Sequence, residues 1–269
     1  MAYVPGITTG TSIAIGGGGA IVIAAETPNL NVASAVRHAL AAGQHKSLDS
    51  WPAEVTVGGS IPWIISDGDA TILNVINPTG SPLAMATMDI IMGTHKYTGC
   101  KAKSLRIDAT FGENLKGNLG FEGSAITTDT NPGAATTNAF KCTKLTVSGL
   151  GTWEPVSWSV NVDLPIKPVH AMTSTGARTP VVLTEGHQKI TLNCKLTQEE
   201  TVPADITAIA LAQIATVTLA VEDTEGSPQS LTITLTNVTP AATNRDLSPE
   251  DLLFHGLDYE AETYVAAIA

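Results

Sequence analysis

Between Ala102 and Phe111 the chain places Leu105, Ile107, Ala109 and Phe111 at every second position, with Ser104, Arg106, Asp108 and Thr110 between them. A helix turns through 3.6 residues and would scatter such a set around its axis. A pleated strand sends alternate side chains to opposite faces, so the stretch is predicted to be a strand with one packed and one wet face. Its surroundings extend the pattern. An apolar run from Met88 to Met92 leads into a turn through Thr94-His95-Lys96, and Gly112-Glu113 joins the strand to a second alternating one, Asn114 to Phe121. Met88 to Gly123 is therefore expected to be an antiparallel meander.

Most of the remaining chain reads in the same way. Residues 1–50 are the least patterned; Thr11–Ile15, Gly16–Gly19 and Ala20–Ala25 suggest a hairpin with a glycine-rich turn, and Val32 to Ala42 suits either a short helix or a loop containing a helical turn. From Trp51 a first unit is expected over residues 51–126, with Val55-Thr56-Val57, a break at Gly58-Gly59, and a strand from Ile61 to Ile65. Asp67-Gly68-Asp69 then opens a helical stripe, Ala70 to Ile76, ended by Asn77-Pro78. Residues 127–138 have the small, polar composition of a linker. A second unit, 139–269, offers strands at Phe140–Val147, Val156–Leu164, His187–Thr197, Val217–Val221, Leu231–Val238 and Leu252–Tyr259, with a short helix over Ile206–Ile214.

The element order after the linker repeats the order before it. Ala70–Ile76 answers Ile206–Ile214, Met88–Met92 answers Val217–Val221, Leu105–Phe111 answers Leu231–Val238, and Leu115–Phe121 answers Leu257–Glu260, without shared sequence. The expected fold is mainly β: two tandem β-sandwich or barrel units, each flanked by a short α-helix.

Charged residues make up only 14% of the chain against 43% hydrophobic ones, which points to uncharged surface buried against partners. The net charge is −11, with 12 acids and 9 bases in residues 1–165 and 13 acids and 5 bases in residues 166–269. Such a surface lacks the basic patch that grips nucleic acid. Cys100, Cys142 and Cys194 show no zinc or disulfide spacing and read as small buried hydrophobes. No segment has the length of a membrane span and none has the form of a secretory signal, so a soluble product made in the cytoplasm is expected.

Catalytic and metal-binding patterns are missing. The glycine runs near the N-terminus carry no phosphate-binding lysine. Six histidines are scattered without ligand spacing, and no Gly-x-Ser-x-Gly elbow occurs. Asp67 and Asp69 suit helix capping better than calcium. Trp51, Trp63, Trp153 and Trp158 suit core or subunit-contact anchors better than base-stacking platforms. No enzyme activity and no cofactor are expected.

The wording of the meander carries a resemblance. Tyr97-Thr98-Gly99-Cys100, running into a strand through Leu105 and Ile107 and then to a Phe121-Glu122-Gly123 strand, resembles the middle of the tail tube proteins of long-tailed, siphovirus-like bacteriophages, and the likeness extends from about Val55 to the C-terminus. The resemblance implies a virion structural protein that stacks as rings around a β-lined channel for genome ejection. It implies that broad sheets close between neighbouring chains, that DNA passes without specific binding, and that tail tip, tape measure and tail terminator proteins are further partners. On that analogy the strands around Phe140–Val147, Val156–Leu164 and His187–Thr197 line the channel, and residues 1–50 make contacts between rings. Glu199, Glu200, Glu222, Asp223 and Glu225 are then candidate lumen-lining acids, against the plainer reading of solvated loops. With two units per chain, three chains close a pseudo-sixfold ring, a true hexamer being the alternative. A β-sandwich carbohydrate-binding or adhesion module on a virion or cell surface is the competing function.

Overall fold

The computed structural model describes residues 13–15, 21–24, 28–39, 49–77, 85–130, 138–150, 155–170, 180, 182–197, 213–224, 229–246 and 254–269. The fold is mainly β. In chain order the strands are β1 (Ile13–Ile15), β2 (Ile21–Ala24), β3 (Asn29–Ala39), β4 (Asp49–Ile64), β5 (Met88–Met92), β6 (His95–Thr110), β7 (Lys116–Gly123), β8 (Ala125–Thr128) and β9 (Lys144–Ser148). They continue with β10 (Pro155–Asp163), β11 (Ile166–Val169), β12 (Val182–Glu185), β13 (Lys189–Thr197), β14 (Ile214–Asp223), β15 (Gln229–Asp246), β16 (Phe254–Ala261) and β17 (Thr263–Ile268). One short helix, α1 (Ala70–Leu73), follows β4.

Eight strands form a central antiparallel sheet in the order β3-β4-β7-β6-β10-β13-β16-β15. Alternation gives it two unlike faces. On one face Leu105 lies opposite Val162, Ile107 opposite Val160 and Ala109 opposite Trp158, and all six are buried. Two smaller sheets share this core: β2-β1-β5 with the start of β6 and β8, and β9-β14 with the start of β15 and β17. The long strands β6 and β15 thus each serve two sheets. Trp63 is fully buried opposite Gly117, where a Cβ would stand 2.7 Å from the indole ring.

The pairings in the two halves of the chain repeat one another. Ala102 faces Phe121 and Ser104 faces Gly120 across a bulge; Pro240 faces Tyr259 and Ala242 faces Asp258 across another. All four partners in the second set lie one constant interval beyond those in the first. That interval also carries Tyr97 opposite Ile126 onto Leu235 opposite Tyr264. Similar constant shifts carry Ser60 opposite Gly120 onto Asn193 opposite Asp258, and Asn31 opposite Gly58 onto Asn161 opposite Thr191. Even the outer hairpin follows, Val36 opposite Pro52 becoming Ile166 opposite Glu185 in β11–β12.

Several expectations are corrected. Val32 to Ala42 is not helical: β3 covers its first eight residues, and its pairing along β4 outweighs weak local helix preference. Gly58-Gly59 does not break β4; Gly58 gives room to the neighbouring strand, since a Cβ there would meet the Phe121 carbonyl oxygen at 2.9 Å. The boundary expected at residue 50 runs through β4, and β1 to β3 belong to the sheets of the meander. Thr127 and Thr128, expected to begin the linker, end β8 instead, and most of the remaining linker residues lie outside the described ones. His95 and Lys96 are already strand, the turn being made at Gly93-Thr94 with Gly93 at φ +56°. Phe111, past the end of β6, is 62% exposed. Leu105 takes the pairing place of Thr243, so its match with Leu231 is out of register. Ile214 begins β14; the rest of the helix expected at 206–214 lies almost wholly outside the described residues.

Candidate functional site: the polar face of the central sheet

The second face of the central sheet carries the wet positions of the same alternating strands. Arg106 and Asp108 of β6, Asn161 and Asp163 of β10, Lys189 of β13, opposite Asp163, and Glu260 of β16, opposite Thr191, are all at least partly exposed there. Their charges are matched locally. Arg106 Nε donates to Asp108 at 2.9 Å, Lys189 Nζ to Glu260 at 2.7 Å, and Lys103 lies 3.6 Å from Glu122. Asn161 Nδ2 donates to Asp163 at 2.5 Å, and Asn193 Nδ2 donates to Asp258. Its hydrogen bond and charge contact with Glu260 raise the Lys189 ammonium above its ordinary value, so it stays charged.

Exposed pairs of this kind add little stability, typically under about 1 kcal/mol each. Their effect is on the potential of the surface. A phosphate backbone passing over it would meet Lys103, Arg106 and Lys189 already engaged by carboxylates, which weakens their pull on it. Among the described residues, nothing on this face has the arrangement of a nucleophile with its base. Among the described residues no group of three or more His, Cys, Asp and Glu could hold a metal ion. No helix among them is long and apolar enough to cross a membrane.

The family-like motif sits at a bend within β6, not in a turn. Tyr97 is buried and meets Phe121 edge to face, with ring centroids 5.8 Å apart. Thr98 accepts the Ser124 backbone N–H through its carbonyl. Gly99, at φ +59°, redirects the strand from the smaller sheet to the central one, and its N–H donates to Asp89 Oδ1 at 3.2 Å. Cys100, Leu105, Ile107 and Phe121 are fully buried. Burial pushes the thiols of Cys100 and Cys194 up to about 12 and that of Cys142 up to about 11.

Two of the candidate lumen acids fall elsewhere. Glu222 and Asp223 end β14, in a smaller sheet away from the polar face. Glu222 accepts both contacts of Lys144 Nζ at 2.9 Å, and Asp223 is buried, accepting the Lys141 backbone N–H. Glu199, Glu200 and Glu225 lie outside the described residues. Of the strands expected to line a channel, β10 and β13 are central while β9 is not. Asp67 and Asp69 act as internal ties: Asp67 accepts from Asn138 N and Gln229 Nε2, while Asp69 Oδ2 accepts from Trp63 Nε1 and Ser66 N. The charged face was written in the polar half of the alternation, but which strands sit side by side is a long-range matter that the pattern does not carry.

No protein-family model matches the chain, and no curated protein matches it by sequence.

Proposed function

We propose that this chain is a tail tube protein of a long-tailed, siphovirus-like bacteriophage, closing with copies of itself into stacked rings whose bore carries the genome during ejection. The observation that supports this reading best is the central sheet: eight strands, one face sealed by the core, the other polar and charge-paired and, among the described residues, uncovered, with both edges unpaired there. An open sheet of that width is a liability unless its ends are paired, and ring closure removes them.

On this reading each chain supplies two tube units, and three chains close the ring. Twenty-four strands spaced about 4.8 Å apart and tilted about 40° enclose a barrel roughly 50 Å across between backbones. The polar face lines the bore and lets DNA slide. Tail tip, tape measure and terminator proteins are the further partners, and the site of action is the virion tail after assembly in the host cytoplasm.

Electron microscopy of the purified protein at raised concentration, with end-on views averaged without imposed symmetry, tests the proposal. Rings or tubes with a central hole, each ring built from three chains, are the expected result. Six separate chains per ring would overturn the duplication. A monomer that never assembles and binds glycans would overturn the tube.

A further inference from the structure

The repeated pairings specify how one copy joins the next. Inside the chain the two halves meet where β6 of the first pairs with β10 of the second, Asn161 lying opposite Arg106. In the repeat, β15 stands for β6 and β3 stands for β10. Among the described residues β3 pairs with β4 alone, and Thr239–Asp246 of β15 with β16 alone. The chain therefore carries one completed seam and the two separated edges of a second.

We propose that the β3 edge of one copy pairs antiparallel with the Thr239–Asp246 edge of another, in the register of the internal seam. Asn31 takes the place of Asn161 and Asn244 the place of Arg106, so these two stand opposite each other. Val32 then faces Thr243 and Leu30 faces Arg245. This deepens the tube reading by naming the joint between subunits, and it rests on that reading only for closure of the ring.

Two exposures agree with it. Val32 is 49% exposed, whereas its counterpart Val162, inside the internal seam, is fully buried. Ile126 of β8 is 37% exposed, whereas its counterpart Tyr264 of β17 is buried. On that side of the internal seam, α1 of the first half lies on β17, with Asn74 donating to Ala266 O and Asn77 to Tyr264 O. The same edge-to-edge joint between copies brings a neighbour alongside β8 and covers Ile126.

The test is disulfide trapping on otherwise intact protein, whose own cysteines are buried. Opposite pairs in an antiparallel ladder alternate between close and wide spacing, so two in-register double variants are made, Asn31→Cys with Asn244→Cys and Val32→Cys with Thr243→Cys. Asn31→Cys with Asp246→Cys is the diagonal control. Melting profiles matching the parent confirm folding. Under mild oxidation at assembling concentration, at least one in-register pair is expected to give covalent oligomers ending at the trimer, with at least tenfold less product from the control. Rings seen by microscopy with no in-register cross-link would overturn the edge pairing and leave the tube standing. Cross-linked open chains without rings would support the edge pairing and overturn the tube. Absence of both cross-links and rings would overturn both.

Discussion

Gly99 and Asn237 hold the same left-handed backbone conformation, at φ +59° and +51°, each at the point where a long strand leaves one sheet for the next. Asn237 is the single non-glycine residue with positive φ among the described residues, and asparagine tolerates that region better than most side chains. Gly99→Ala is expected to cost about 1–3 kcal/mol from the backbone alone. Its new Cβ would also stand 2.4 Å from Ser124 Oγ. Asn237→Gly should be close to neutral, since it loses an exposed contact with Glu262 and relieves the backbone. Denaturant midpoints of the two variants check the contrast.

Tyr259 occupies the pairing place that Phe121 holds in the first half. Its hydroxyl is buried with no hydrogen-bond partner among the described residues, and burial pushes its pKa up to about 12. Tyr259→Phe is therefore expected to be neutral or slightly stabilising, because the variant no longer hides an unsatisfied polar group. Phe121→Tyr, which creates one, should lose about 1–3 kcal/mol. Thermal denaturation of both decides it.

Asp69 gives a pH signature. Burial raises its carboxyl above the ordinary 3.8, opposed by the hydrogen bonds from Ser66 and Trp63. The folded state thus holds the proton more tightly than the unfolded one, so this group's contribution is most favourable below 3.8 and declines as pH rises through the raised value. Asp69→Asn keeps an acceptor for Trp63 and removes the titration. The stability of the parent relative to this variant should fall as the pH rises above 3.8 and through the raised value, and then level off. Asp69→Ala should cost about 1–3 kcal/mol by orphaning buried donors. Urea denaturation across pH measures both.

The three thiols are expected to stay silent. With Cys100 and Cys194 near 12 and Cys142 near 11, thiolate is scarce at pH 8, and all three are buried. Colorimetric titration with a disulfide reagent should find none of them reactive in the folded protein and three after denaturation. A thiol titrating rapidly in the native state would contradict this.

How much of this the residues declared depends on how local each feature is. The alternation of Leu105, Ile107 and Ala109 specifies a two-faced strand on its own, and β6, β7, β10 and β15 were legible for that reason. β3 was not, because Asn29–Ala39 is strand through what it pairs with. The β11–β12 hairpin went unseen behind Pro165 and Pro168. β17 lies beyond the last expected strand, which stopped at Tyr259, and only a single residue, Glu262, marks its break from β16. The acids of β14 looked available since nothing local announces that Lys144 engages Glu222 or that Asp223 is buried. The polar face emerges only when β6, β10, β13 and β16 are laid side by side.

The β6–β10 seam lies within one polypeptide, so dilution cannot open it. In a closed ring of three chains every second joint is secured in this way, and only three must be held by mass action. With half of the proposed ring's joints lying inside chains, the two kinds of joint are free to specialise: the tethered one for packing strength, the other for being made and inspected during assembly.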